Sequence, residues 1–187
     1  MEGVTLLAPA AAGLALLCMY LYFHRDPERA PPDAERVVLA PADGKVVKLR
    51  RERQGPLGGG EHHVVSIFMS FRDVHVNRAP ISGVVRSVRW FKGGHSPAFT
   101  EKSRRNARCL IEIEGEFKCY VELVAGLIAR RIRCYVESGD RVEAGSRIGM
   151  IKLGSRVNLY LPADLDFNFH IKEGSRVRAG ETVVASW

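Results

Sequence analysis

Three short stretches of the chain contain residue types that can carry out covalent chemistry. They are APADGKVV (40–47), FMSFRDVHVNRAPISG (68–83) and KLGSRVNLYLP (152–162). Their reactive residues are Asp43, His75 and Ser155, a set in which a carboxylate orients an imidazole, the imidazole accepts a proton and the hydroxyl acts as nucleophile. Each residue also has a purely structural interpretation, because Asp-Gly and Gly-Ser pairs form turns and a histidine inside an apolar strand is commonly a core residue.

The spacing of these three residues does not show whether they meet in space. Other common catalytic patterns are absent from the sequence: there is no GxSxG elbow, P-loop, HExxH or GxGxxG after a strand. The glycine-rich stretch LGGGE (57–61) precedes no predicted helix, so we interpret it as a hairpin loop rather than a phosphate-binding loop.

The part of the chain that must position these residues is predicted to be mainly β. Short apolar runs alternate with glycine turns, a pattern typical of strands in a β-rich sandwich or barrel. The predicted strands are 37–40, 45–49, 63–69, 84–90, 109–114, 117–125, 129–136, 147–152, 156–161, 168–171 and 182–186. Residues 97–108 could form one short helix, and we expect at most one or two short helices in this part of the chain.

An internal repeat supports this interpretation. VESGDRVEAGSRI (136–148) and IKEGSRVRAGETV (171–183) match at an offset of 35, with identical glycine, arginine, valine, alanine and glycine positions. Two copies indicate quasi-symmetric halves similar to the hammerhead of biotinyl and lipoyl carrier domains. The alternative is that glycine turns resemble one another in any β protein.

The first segment is predicted to be a membrane anchor. Residues 3–23 carry no charge, and as a helix they would span about 30 Å, the thickness of the bilayer core. A cleaved signal peptide is the alternative, but the basic start of such a peptide is missing. Arginines follow the segment, which predicts a cytoplasmic location for the rest of the chain. Residues 24–36 are a charged, proline-rich linker, and 37–187 form the β domain.

The composition restricts the classes of partner that this chain is expected to bind. The net charge is +7, which favours attraction to anionic lipid over nucleic acid, because basic and aromatic residues are not interleaved as in single-strand binders. The four cysteines form no CxxC pair and have no histidine at zinc spacing. We therefore expect no zinc ribbon, no thioredoxin-type site and no metal, and a reduced cytosolic setting.

Taken together, the motifs resemble the phosphatidylserine decarboxylase family in its short form. The resemblance begins at YFHRDPERAPP (22–32) and continues through PADGKV, DVHVNRAPISG, FTEKSRRNAR and LGSRVNLYLP. It covers the chain from residue 22 to the end, and DVHVNRAPISG is its most specific stretch.

The resemblance implies a proenzyme that cuts itself between Gly154 and Ser155. The products would be a β chain, 1–154, and an α chain, 155–187, held as a heterodimer, with a higher oligomer left open. Ser155 would become a pyruvoyl group, the only cofactor, without metal or pyridoxal phosphate. Its carbonyl would form a Schiff base with a serine phospholipid, and loss of CO2 would yield the ethanolamine lipid. His75 would act as general base and acid, and Asp43 would orient it.

Two positions depart from longer members of the family. Arg78 stands where they carry a second histidine, and Ala107 stands where the family has a glutamate. Arg78 and Arg108 are candidates to bind the lipid phosphate. Two alternatives remain: the substrate is either phosphatidylserine or archaetidylserine, and the chain could instead be a membrane-anchored, non-catalytic hammerhead carrier or adaptor.

Overall fold

The computed structural model describes residues 2–58, 60–94, 106–126, 132–151 and 155–187, with the backbone alone for 2–9. Helix α1 (Glu2–Phe23) comes first, and an irregular segment leads to the first strand. The strands are β1 (Val37–Leu39), β2 (Gly44–Glu52), β3 (His62–Met69), β4 (Val76–Arg78), β5 (Gly83–Phe91), β6 (Arg108–Glu114), β7 (Lys118–Val124), β8 (Ile132–Cys134), β9 (Arg141–Val142), β10 (Arg147–Ile151), β11 (Ser155–Pro162), β12 (Asn168–Phe169), β13 (Arg176–Val177) and β14 (Val183–Ser186).

The described strands form one large sheet and two small ones, all with antiparallel pairing. The large sheet has eight strands in the order β13-β2-β3-β11-β7-β6-β5-β9. The small sheets have the orders β1-β14-β12 and β4-β10-β8. Strand β11, which begins at Ser155, lies in the interior of the large sheet between β3 and β7.

The core covers one face of the large sheet, as alternation along the strands dictates. On β11, the side chains of Val157, Leu159 and Leu161 are fully buried in the main hydrophobic cluster. The intervening positions Arg156, Asn158 and Tyr160 line a polar cleft on the other face. Ser155 has the same parity as the core residues, so its side chain belongs to the inner face.

The predicted mainly β architecture is confirmed, but three short strands are not in the list of predicted strands. Strands β4, β9 and β13 have only two or three residues, too few for a period of two to be visible in the sequence. The helix considered for 97–108 falls largely on residues 97–105, which lie outside the described part of the chain, and Arg108 begins strand β6. Residues 129–131 of another predicted strand lie outside it as well.

Helix α1 covers the segment predicted to anchor the chain in a membrane. Its described side chains from Ala10 to Tyr22 are exposed. Among the described residues, however, no helix has the length and apolar character needed to cross a membrane. The structure therefore does not support the predicted membrane-spanning segment.

The two copies of the internal repeat lie at opposite ends of the large sheet. Strand β9 of the first copy pairs with β5, and β13 of the second pairs with β2. The amide of Gly139 donates to Val85 O, and the amide of Gly174 donates to Val46 O, each at 2.8 Å. Both glycines have a positive φ that permits the turn.

The partners of the repeat are themselves a repeated pair that the sequence analysis missed. Segments 40–46 (APADGKV) and 79–85 (APISGVV) occupy equivalent places. The amide of Gly145 donates to Ala79 O at 2.8 Å, and the amide of Gly180 donates to Ala40 O at 2.9 Å. The quasi-symmetry therefore involves four segments, and Asp43 of one half corresponds to Ser82 of the other.

Candidate active site

Ser155 lies buried at the first position of β11, opposite Met69 of β3. Its Oγ lies 3.5 Å from Met69 Sδ, a weak acceptor. Gly154, the residue predicted to precede the cut, lies outside the described residues together with Lys152 and Leu153. The structure thus places the predicted nucleophile in the core, at the point where the chain enters the middle of the large sheet.

His75 is fully buried directly before β4. Its carbonyl oxygen accepts a hydrogen bond from the amide of Ile151 at 3.2 Å, which ties it to the end of β10, four residues before Ser155. Neither ring nitrogen has a hydrogen-bond partner among the described residues. Burial lowers the pKa of His75 to about 4, and a weak interaction with the backbone of Asp73, together with the Asp73 charge, opposes this shift only partly. The imidazole is therefore neutral at pH 7 and able to accept a proton.

The end of α1 covers this histidine. The ring of Phe23 lies 4.2 Å from the ring of His75, measured between centroids and tilted by 39°. Arg72 holds the helix end in place, because its carbonyl oxygen accepts hydrogen bonds from Tyr22 Oη, at 3.2 Å, and from the guanidinium of Arg25. Phe23 thus separates His75 from solvent, which explains why burial dominates its pKa.

Asn77 is a site residue that the sequence analysis did not single out. It is fully buried, and its Nδ2 lies 3.7 Å from Met69 Sδ and 3.5 Å from Pro41 O. Its Oδ1 has no partner among the described residues. Met69 therefore contacts both Asn77 and Ser155. The signal in the sequence was the alternating run Val74-His75-Val76-Asn77, in which residues two apart are expected to share a face.

Asp43 is buried but does not contact His75. Its Oδ1 accepts a hydrogen bond from the amide of Ala179 at 2.7 Å, and its Oδ2 accepts one from Arg29 at 3.0 Å. In the other half of the quasi-symmetry, Ser82 Oγ accepts the equivalent bond from the amide of Ala144 at 2.9 Å. One bond of Asp43 is therefore a feature of the repeated turn. Its assignment as the group that orients His75 stays a prediction.

Arg78 is buried, and its guanidinium group is hydrogen-bonded to other residues of the protein. It donates to Gly145 O at 2.8 Å, to Pro27 O at 3.0 Å and to Asp26 Oδ1 at 3.3 Å. These bonds tie the segment after α1 to the repeat. The geometry indicates a positioning residue, and the suggested phosphate contact of Arg78 stays a prediction.

Arg108 lies on the other face of the large sheet from Ser155. Its Nε is 3.1 Å from Glu122 Oε1, and its guanidinium carbon lies 4.4 Å from the centroid of the Phe91 ring. It lines the polar cleft together with Arg156, the residue after Ser155. The structure therefore does not bring Arg108 to the serine, and its suggested role in phosphate binding also stays a prediction.

The buried polar atoms of His75 and Asn77 bear on the implied cofactor. His75 offers two ring nitrogens and Asn77 an amide, all shielded from water, and three of these atoms lack a protein partner among the described residues. A buried polar group without a hydrogen-bond partner destabilises the folded state, and such groups are commonly found where a ligand or reacting group binds. A carbonyl-bearing group derived from Ser155 fits this set. Among the described residues, no group of three histidine, cysteine, aspartate or glutamate side chains is arranged to hold a metal.

These features describe one class of protein: a small, mainly β protein in which a buried histidine lies under the end of an apolar helix, and a buried serine and a buried asparagine contact the same methionine. Comparison with known proteins identifies the family. A family model described as phosphatidylserine decarboxylase matches residues 16–185. The chain belongs to the phosphatidylserine decarboxylase family, and it is a decarboxylase.

Individual relatives match this chain over most of their length. A phosphatidylserine decarboxylase proenzyme of Chlorobaculum tepidum is 44% identical over 184 residues, covering 97% of this chain and 83% of the relative. One from Chlorobium luteolum is 46% identical, covering 92% and 81%. A protein of Methanosarcina mazei, provisionally named archaetidylserine decarboxylase proenzyme, is 40% identical, covering 95% and 79%. These similarities favour the enzyme over the non-catalytic carrier.

Proposed function

We propose that the chain is a self-cleaving, pyruvoyl-dependent decarboxylase that converts a serine phospholipid to the ethanolamine phospholipid and CO2. One observation carries the proposal: Ser155 is buried at the start of β11, and Met69 contacts both Ser155 and Asn77, which lies two residues after a neutral His75 whose ring nitrogens have no partner among the described residues. Family membership and the proenzyme names of the relatives support it further.

Self-cleavage requires a base for the serine hydroxyl, which is a weak nucleophile. In our proposal, neutral His75 takes the proton of Ser155 as its Oγ attacks the carbonyl carbon of Gly154. The peptide bond between the two residues breaks, and the acyl group moves from nitrogen to oxygen. Elimination then breaks the Cβ–Oγ bond of residue 155, which frees the carboxylate end of 1–154 and leaves a dehydroalanine. Water adds to the imine form of that residue and ammonia leaves, which gives the pyruvoyl group at the start of 155–187.

The same residues serve the second reaction. A pyruvoyl group at position 155 supplies an electron-accepting carbonyl for loss of CO2, the role that pyridoxal phosphate has in other decarboxylases. Among the described residues, Asn77 Nδ2 makes long contacts only, 3.5 Å to Pro41 O and 3.7 Å to Met69 Sδ, so it is available to donate a hydrogen bond in the site. His75 returns a proton to the carbon that has lost CO2. Burial under Phe23 keeps competing water away from both residues.

We also propose that the enzyme works at a lipid surface. The exposed apolar side chains at the end of α1 and the exposed Phe71 form a cleft of about 460 Å³ next to the helix end that covers His75. A lipid head group could approach the site from there while its tails contact apolar side chains. The cytoplasmic side of the cell membrane stays a prediction from the sequence.

The head group defines the reaction, and the tails do not. Phosphatidylserine and archaetidylserine present the same serine to Ser155 and His75, and relatives carrying either name resemble this chain to a similar degree. We therefore propose a serine phospholipid as substrate and leave the tail chemistry to direct competition between the two lipids in an activity assay.

Intact-mass spectrometry of the purified protein under denaturing conditions tests the proposal. We expect two polypeptides, 1–154 and 155–187, the smaller blocked and about 17 Da lighter than one with an amino-terminal serine. Ser155→Ala should remain a single chain and be inactive on serine-lipid vesicles. A wild-type chain that stays whole on prolonged incubation and releases no CO2 would contradict the proposal.

A matched pair of variants at Asp43 tests whether this carboxylate orients His75 or only completes the turn. Asp43→Ser reproduces the residue of the other half and keeps an acceptor for the Ala179 amide, whereas Asp43→Ala removes it. If Asp43 only completes the turn, Asp43→Ser should cleave itself at nearly the wild-type rate. If it orients His75 during the reaction, both variants should cleave at least about tenfold more slowly.

A further inference from the structure

Two cysteines that take no part in the proposed reaction lie against each other inside the β domain. Cys109 is fully buried on β6, in the large sheet, and Cys134 is half-buried on β8, in a small sheet. Both belong to or pack against the main hydrophobic cluster. The two residues are 25 positions apart, so this proximity comes from packing between two sheets.

The register of the strands accounts for the approach. Cys109 is the partner of Leu123 across β6 and β7, and Cys134 is the partner of Gly149 across β8 and β10. A Cβ added to Gly149 would lie 2.9 Å from Leu123 Cδ1, so the two sheets are in close contact at this level. Strands β6 and β8 approach within 8 Å, measured between Cα atoms.

The thiols themselves interact. The hydrogen bond between Cys109 and Cys134 raises the pKa of Cys109 and lowers the pKa of Cys134. Cys134 Sγ also lies 3.2 Å from Val136 O and 3.7 Å from Ile148 O, and both contacts restrict the position of its side chain. A partly accessible thiol with a lowered pKa next to a second thiol has the form of an attacking and a resolving cysteine.

We propose that Cys109 and Cys134 form a reversible dithiol–disulfide pair, closed by a small-molecule disulfide such as oxidised glutathione and reopened by a thiol. The Cys134 thiolate attacks one sulfur of oxidised glutathione, breaks its S–S bond and releases one glutathione. Cys109 then loses its proton and attacks the Cys134 sulfur, releasing the second glutathione. The protein loses two electrons and two protons, and oxidised glutathione is reduced to two thiols.

The link would join the large sheet to the small sheet that contains β4. Strand β8 pairs with β10, whose last residue, Ile151, bonds to the His75 carbonyl. Both cysteines precede residue 154, so the link forms within one polypeptide whether or not the chain is cut. The redox test therefore gives its answer independently of the proposed decarboxylation.

The experiment is native oxidation of the full chain with oxidised glutathione, followed by N-ethylmaleimide labelling and intact-mass analysis. We expect a protein about 2 Da lighter before labelling, with two labels fewer than the reduced protein, and a non-reduced digest that contains the Cys109–Cys134 cross-link. Dithiothreitol should restore both labels. Peptide mapping of the wild-type chain makes this test independent of whether any variant folds.

Cys119 provides the control. It is fully buried in the same core, and burial raises the pKa of its thiol. Cys119→Ala should still form the cross-link, while Cys134→Ser should lose it. Full labelling of the thiols after native oxidation, a stable glutathione adduct on Cys134, or only a dimer linked through exposed Cys18 would each overturn the proposal.

Discussion

At the residue scale, His75 combines complete burial with a missing hydrogen-bond partner among the described residues. Such a group is costly to the folded state unless it contributes to function. Phe23 and the helix end that covers it keep the imidazole neutral, and a neutral imidazole is the form that a general base requires. Burial therefore lowers the basicity of His75 but keeps its imidazole in the neutral form, which can accept a proton.

This burial predicts a pH dependence of stability. The folded pKa of His75 is about 4, below its ordinary value of 6.5, so the unfolded chain binds more protons between these values. Stability should therefore fall as the pH drops from 6.5 towards 4, with a contribution from His75 of about 2 kcal/mol by pH 5. The free energy of unfolding in urea, measured at pH 7.5 and 5.0 in the uncut Ser155→Ala protein, checks this.

The matched variant is His75→Gln in the same background, which keeps a polar side chain but does not titrate. It should lose about 2 kcal/mol less than its parent over the same interval, while His63, whose pKa is also lowered by burial, affects both proteins equally. Equal losses in the two proteins would show that the folded state accommodates protonated His75.

At the element scale, the turns before β2 and after β8 depend on glycine for different reasons. Gly44 and Gly139 both have positive φ, of 146° and 101°. A Cβ on Gly44 would lie 2.2 Å from Phe68 O in the neighbouring strand β3, whereas a Cβ on Gly139 would meet no atom within 4 Å. Only Gly44 lets two strands approach closely, directly after Asp43.

We therefore expect Gly44→Ala to destabilise the protein much more than Gly139→Ala. Both variants carry the left-handed backbone penalty of about 1 kcal/mol, but Gly44→Ala also forces β2 away from β3, and a loss of about 3 kcal/mol or more is expected. Thermal unfolding of the two variants side by side measures the difference. Similar melting temperatures would mean that the close approach at Gly44 relaxes without cost.

At the scale of the whole molecule, the segment from Ser155 to the end contributes strands to two sheets. Strand β11 lies between β3 and β7, β13 pairs with β2, and β14 pairs with β1. Arg29 adds ion pairs to Asp43 on one side of the proposed cut and to Glu181 on the other. Cleavage before Ser155 would therefore leave the core and its hydrogen bonds in place.

The two cleavage products should consequently remain one particle. In gel filtration without denaturant, we expect 1–154 and 155–187 to elute together and to separate only in concentrated guanidinium. Their association rests on strand pairing and buried apolar area rather than on exposed charges, so high salt should not separate them. Elution of the smaller product alone under native conditions would contradict this arrangement.

The mainly β character and most of the strands could be predicted from the sequence, because alternation and glycine turns are local patterns that side-chain direction imposes. The sequence also identified Ser155 and His75 as reactive types, and both proved to be buried. Strands of two residues, such as β9 and β13, carry too little local information for their bounds to be predicted. Their pairing with the ends of the large sheet could be seen only in the fold.

Which groups meet depends on the tertiary structure. It directed Asp43 to Arg29 and to Ala179, which is 136 residues away, instead of to His75. It brought Asn77 and Ser155 to the same Met69 sulfur. A local pattern specifies the face on which a side chain lies, but its partner depends on how distant strands pack. That choice reflects the burial and hydrogen bonding of the whole chain rather than any single motif.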